Sequence, residues 1–178
     1  LRDIQRMTVM VDDLLELSRI ESGQEVIDIH PVNLFRIANE SISYVIGEIN
    51  DGMPEITLNV TEEIMVMGQE EKISQVFVNL IQNASRFTRQ NGLITITAKQ
   101  YDNDIVEVSV SDTGMGIAPE HLAHVFERFY KVDRSRRDGG TGLGLSIVKH
   151  LVQAQGGEVF VDSVEGEGST FKFTLPVA

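Results

Sequence analysis

Val106-Glu107-Val108-Ser109-Val110-Ser111-Asp112-Thr113-Gly114-Met115-Gly116 is the stretch that decides how this chain is read. Valines alternate with polar residues, the period of a strand with one buried face. Asp112 has the parity of the valines, so the pattern aims a carboxylate where the strand has been placing apolar side chains. A carboxylate leaving water is costly unless a donor meets it. Two readings fit. Asp112 caps the following turn with Thr113 and Gly114, or it accepts from a ligand amine, such as the exocyclic amine of adenine. In the second case Gly114 and Gly116 let the backbone come close to the ligand.

Upstream, residues 69–88 have helical periodicity. Ile73, Val76, Phe77, Leu80 and Ala84 share one face, which is core. Asn79, Asn83 and Arg86 lie on a flanking stripe, within about 60° of one another, and Phe87 sits at its boundary. Such residues often solvate a helix rim. Yet Asn has poor helix propensity, its carbonyl suits a hard cation such as Mg²⁺, and Arg suits phosphate oxygens.

Downstream, Gly139-Gly140-Thr141-Gly142-Leu143-Gly144-Leu145 precedes a helical pattern, and glycines at a helix N-terminus expose N–H groups that bind phosphate. The stretch is neither a Walker A loop nor a G-x-G-x-x-G. Between the two glycine-rich stretches, residues 126–137 carry five basic and two acidic residues, a local positive patch or simply a solvated charge run.

The remaining signals complete an outline. Ile4, Met7, Val11 and Leu14, then Leu15, Leu17 and Ile20, mark a helix over 1–22, with Gly23 as its C-cap. That helix either packs on its own domain or belongs to a coiled coil or bundle. His30-Pro31 is an extended step into a helix over 32–49, and Asp51-Gly52 is a turn. Strands fall near 55–60, 64–67, 93–100 and 105–111, with a turn at Asp102-Asn103-Asp104. Residues 112–141 show little regular structure, which inside a compact domain marks a functional or mobile segment. A helix over 142–155 ends at Gly156-Gly157, and strands near 158–163 and 169–175 close a hairpin. Without βαβ alternation, the expected fold is an α+β two-layer sandwich, helices on one face of a mixed, largely antiparallel sheet.

The 178 residues allow one domain with a short appendage. A net charge of -12 argues against nucleic acid or an anionic membrane surface as the main partner. An acidic protein handling a polyanion needs a metal ion and a local basic patch. With no cysteine, disulfides and Cys-ligated metals are excluded. His121 and His124 stand three apart with no third ligand evident, and surface positions are expected for them. His30 and His150 have ordinary helix-edge contexts. No apolar run reaches membrane-span length. The chain opens inside a helical pattern and reads as cut from something longer.

Taken in order, these segments resemble the histidine kinase branch of the superfamily that includes gyrase, the heat-shock chaperone ATPases and the mismatch-repair ATPases. Asn79-Leu80-Ile81-Gln82-Asn83-Ala84 is similar to the N box and Asp112-Thr113-Gly114-Met115-Gly116 to the first glycine box. Phe126-Glu127-Arg128-Phe129-Tyr130-Lys131 is similar to the F box and Gly140-Thr141-Gly142-Leu143-Gly144-Leu145 to the second glycine box. Four boxes in order are specific, and the resemblance covers residues 24–178.

The resemblance implies a Bergerat-type ATP-binding fold, ATP as ligand and Mg²⁺ as its ion. Asn83 would hold the Mg²⁺, with Asn79 near the phosphates or metal. Arg86 stands where the family usually has a phosphate-contacting Lys, keeping the charge and changing its geometry. Phe87 would pack by the adenine, Asp112 accept from its amine, and Gly114, Gly116 and Ile117 border the base. Residues 113–141 would form a lid. Gly142 and Gly144 would hold the phosphates at the helix start, assisted by Arg128 or Lys131 of the F box, and Thr141, Leu143, Leu145 and Tyr130 would complete the ATP-binding set. Ser169 occupies a Ser/Thr position linked to adenine. Asn79, Asn83, Arg86 and Lys131 would be the catalytic set.

Residues 1–23 are similar to the end of the family's second dimerisation helix, whose phosphoacceptor histidine would lie upstream. The implied activity is γ-phosphoryl transfer from Mg-ATP to that histidine, then to an aspartate of a response regulator receiver domain. The setting would be the cytoplasmic part of a homodimeric, membrane-anchored parent. The superfamily's ATPases carry a Glu where Asn79 stands, and Asn cannot serve as a general base at neutral pH. Slow hydrolysis is therefore expected. The rival readings are a conformational ATPase of the superfamily and a non-catalytic, nucleotide-responsive interaction module.

Overall fold

A computed structural model describes residues 2–21, 28–49, 52–101, 104–132 and 140–178. Helix α1 (Arg2–Glu21) comes first, and strand β1 (His30–Asn33) leads into α2 (Leu34–Glu48). The Asn33 side chain accepts from Arg36 N at 2.8 Å, an N-cap that starts α2 at Leu34 rather than 32. Strands β2 (Glu55–Asn59) and β3 (Met65–Gly68) precede α3 (Glu70–Phe87). Glu70 and Glu71 in the first turn of α3 and Arg86 in its last complement the helix dipole. Then follow β4 (Leu93–Gln100), β5 (Ile105–Asp112), the short α4 (Pro119–Leu122), α5 (Gly144–Ala154), β6 (Val159–Val164) and β7 (Gly168–Pro176).

The main sheet runs β2-β4-β5-β7-β6; β2 and β4 are parallel and every other pair is antiparallel. Alternation decides its faces. Val106, Val108 and Val110 of β5, with Ile94 and Ile96 of β4 and Phe171, Phe173 and Leu175 of β7, are buried beneath the helices. Phe77 of α3 meets Phe173 edge to face, ring centroids 5.5 Å apart. The expected core face of α3 is buried, and Ile81 joins it. The expected two-layer α+β architecture is the one observed.

Two elements differ from expectation. His30–Asn33 forms a strand, not merely an extended step, because it pairs antiparallel with Met65–Gly68 in a two-stranded sheet. The segment 112–141 contains α4, opened by Pro119 at the first helical position. The Gly23 C-cap, Asp51, Asp102-Asn103 and the basic residues within 133–139 lie outside the described residues.

Helix α1 is divided in its contacts. Leu17 is 1% exposed and Met10 packs on the core, whereas Met7, Val11 and Leu15 remain more than half exposed. One face therefore packs on α5, as the own-domain reading requires, and an apolar stripe is left over. Among the described residues no helix is long and apolar enough to cross a membrane.

Candidate nucleotide site

The stripe of α3, the end of β5 and the strap before α5 meet around one cavity of about 310 Å³, within the size range of small-molecule sites. Asn79, Asn83, Arg86 and Phe87 line it from α3, and Asp112 from β5. Gly116 and Ile117 follow in the loop, with Tyr130 and Lys131 beyond α4. Thr141, Gly142, Gly144, Leu145 and Ser169 complete that set.

At one end stands Asp112, 8% exposed, as its parity with the valines requires. Its Oδ1 accepts from Gly114 N at 2.8 Å. Burial pushes the carboxyl above the usual Asp range, and the backbone N–H groups of Gly114 and Ser169 partly oppose that. The turn-capping reading thus holds for one oxygen while the carboxyl still borders the cavity. Gly114 itself does not line it: its N–H orients the acid, and a Cβ there would sit 2.6 Å from Asp112 Oδ1. Gly116 has φ 67°, and a Cβ would strike the Val164 carbonyl, so glycine is required twice over. Ile117 N donates to Ser163 Oγ at 2.8 Å, and that hydroxyl lies 3.0 Å from Ser169 Oγ. Ser169 is thereby tied into the wall beside Asp112, its pairing partner across β5 and β7.

The opposite end is polar and cationic. Asn79 Nδ2 donates to Gln75 O at 3.0 Å, leaving Oδ1 turned towards Gly144. Among the described residues no hydrogen bond engages the Asn83 side chain, so its oxygen is available to a ligand. The Arg86 guanidinium lies against Gly140, where a Cβ would collide with Nη1. Helix α5 begins at Gly144 with no side-chain cap, which leaves first-turn N–H groups for an anion. No group of three or more His, Cys, Asp or Glu gathers among the described residues. A divalent ion here fits asparagine oxygen plus phosphate, with no separate carboxylate cage.

Two further expected residues stand elsewhere. Leu143 is fully buried in the core, and its N–H donates to Thr141 Oγ1 at 3.2 Å. Arg128 is exposed and does not line the cavity. Other residues also line it: Gln82, Met115 and Gly140 from within the boxes, and Asp13 of α1, Val125, Val132 and Phe171 from outside them. Gln82, three residues after Asn79, lay on the same helical stripe and was findable; Asp13 carried no signal. Of the histidines, His121 is half-buried rather than a surface residue, its Nδ1 2.6 Å from the Tyr130 hydroxyl, so it braces a cavity residue. His124 is exposed and pairs with Glu127, and His30 lies in a strand.

The family model for histidine kinase-, DNA gyrase B- and HSP90-like ATPases matches residues 68–178, which contain every box around this cavity. The chain belongs to that family. Within it, the likeness is to sensor histidine kinases, and the chain carries an ATP-binding catalytic domain of that type. It is 35% identical over 181 residues to the sensor histidine kinase WalK of Bacillus subtilis (strain 168), covering 98% of this chain and 29% of that protein. The structure of the mycobacterial sensor histidine kinase MprB has a TM-score of 0.75 at 29% identity, covering 83% of this chain and 98% of that one. Full-length ShkA, solved in complex with AMPPNP, has a TM-score of 0.81 at 30% identity, covering 97% of this chain and 36% of that one. The chain spans less than half the length of the first curated relatives it matches.

Proposed function

We propose that the cavity binds Mg-ATP and presents its γ-phosphoryl to a histidine on a dimerisation helix, for relay to an aspartate of a response regulator. The carrying observation is that a buried acid and a pair of helix-borne asparagines border one hollow. Asp112 accepts from the adenine amine, with Phe87, Gly116, Ile117 and Ser169 beside the base. Asn83 and Asn79 offer oxygens to the ion, while Arg86, Lys131 and the N–H groups opening α5 take the phosphates. Thr141, Gly142, Leu145 and Tyr130 shape the wall.

Mg²⁺, when bound, offsets charge on the phosphates as it develops during transfer. The protein's own contribution is positioning and charge stabilisation. In the transfer the bond between the γ-phosphorus and the bridging oxygen breaks, a bond to the imidazole nitrogen forms, and ADP leaves. Asn79 supplies no base to activate water, which favours transfer over hydrolysis. That residue weighs against a conformational ATPase, and the complete set of boxes weighs against a non-catalytic module.

In this reading residues 1–23 end a helical dimerisation domain, 24–178 form the catalytic domain and 113–141 its lid. The exposed stripe of Met7, Val11 and Leu15 supports a bundle partner for α1. The parent would be a homodimer with this domain in the cytoplasm. Calorimetry with ATP, with and without Mg²⁺, tests the site. Phosphohistidine formed on a separately supplied histidine-bearing dimerisation domain tests the transfer. ATP turnover at the rate of a dedicated ATPase would overturn it.

A further inference from the structure

Asp13 sits 128 residues before Thr141, yet Thr141 Oγ1 donates to Asp13 Oδ2 at 2.9 Å at the phosphate end of the cavity. The same hydroxyl accepts from Leu143 N at 3.2 Å, so one atom joins α1, the glycine strap and the start of α5. The helix is seated there by packing: Leu17 is buried and Met10 lies on the core beside α5. A helix start without a side-chain cap attracts anions, and here the chain itself brings one to the strap that leads into it. A triphosphate entering the same region meets that like charge and competes for the same hydroxyl.

We propose that Asp13 is an intramolecular competitor of the nucleotide's terminal phosphates, its bond to Thr141 latching α1 onto the second glycine box until a triphosphate displaces it. The proposal rests on the reading of this cavity as an ATP site. Linkage makes the effect reciprocal: docking of α1 weakens ATP, and ATP loosens α1. The device reports nucleotide state to the helix that leads towards the rest of the parent protein. A different role for the same carboxylate, an additional ligand for Mg²⁺, predicts the opposite sign.

The test is calorimetric titration of this chain and of Asp13→Asn with AMP, ADP and ATP in Mg²⁺. Asn keeps the shape and an acceptor while removing the charge. ATP should bind about fivefold tighter or more to the variant, ADP less so, and AMP within about twofold of the parent. Asp13→Ala, which favours the helix, should do the same. Unchanged or weaker ATP binding overturns the latch, and so does an equal change for all three nucleotides. No binding by either protein removes the ATP assignment and the latch with it. Hydrogen exchange supplies a second measurement: ATP should speed exchange across residues 10–17 of the parent chain, and slowed or unchanged exchange overturns the latch.

Discussion

At the Asp112 end the cavity wall is sheet; at the Arg86 end it is a strap of glycines and the tip of a helix. The first wall is held by paired strands β5 and β7 and by the Ser163 hydroxyl, which donates to Gly168 O at 2.8 Å. The second is held by side-chain contacts: Arg86 across Gly140, Thr141 on Asp13 and Tyr130 on His121. The difference teaches a division of labour. The base end is pre-organised, so its polar groups are oriented before a ligand arrives. The phosphate end can reorganise around whatever charge is present.

The largest effect should follow from loss of the rigid acid. Asp112→Ala removes a buried charged acceptor, and such bonds are worth about 1.5–3 kcal/mol, so ATP affinity should fall roughly 10- to 100-fold by calorimetry. Its effect on stability should be the smaller one, because relief of the buried charge offsets the bonds lost from the Gly114 and Ser169 N–H groups. The folded state holds the Asp112 proton more tightly than the unfolded chain. Its contribution to stability is therefore present below the ordinary Asp range and lost as pH rises through the folded pKa. ATP affinity should run the other way, declining as acidification protonates Asp112 at a pH above the usual Asp range. Affinity flat down to that range would separate Asp112 from the adenine.

Next in size is a matched pair of glycine changes. Gly116→Ala forces a side chain into positive φ and onto backbone, and should cost about 2 kcal/mol or more, lowering Tm by roughly 4–8 °C. Gly140→Ala meets only the end of the Arg86 side chain and should cost under about 0.5 kcal/mol. Equal losses in thermal denaturation would break the contrast between the two ends. Asn83→Ala should weaken ATP about tenfold in Mg²⁺ and by much less in EDTA, because the lost oxygen serves the ion. A loss independent of Mg²⁺ would move the ion away from Asn83.

The rigid end was also the legible end. Alternation through Val106, Val108 and Val110 transmits the direction of Asp112 along the chain without help from tertiary structure, and helical period did the same for Asn79 and Asn83. Leu143 was misplaced because a motif names consecutive residues while a turn sends neighbours in different directions, one to the cavity and one to the core. β1 was illegible as a strand because its evidence is a partner, Met65–Gly68, more than 30 residues away. Asp13 was illegible for the same reason at greater range: the apolar stripe that includes Leu17 does not say that α5 is its partner. The pattern is physical. Directions set by local period can be read from one segment, whereas positions set by docking of two segments cannot.

The smallest expected effect tests how far the phosphate end adapts. Arg86 stands where the family usually has Lys, and its guanidinium lies against Gly140 of the strap. Arg86→Lys keeps the charge but exchanges a planar fork for a point charge on a flexible stem. If the strap adapts, ATP affinity should change by no more than about threefold, well under 1 kcal/mol. A tenfold loss would mean that the fork itself is matched to phosphate geometry. In that case this end too is pre-organised, and the contrast with the Asp112 wall would narrow to one of backbone alone.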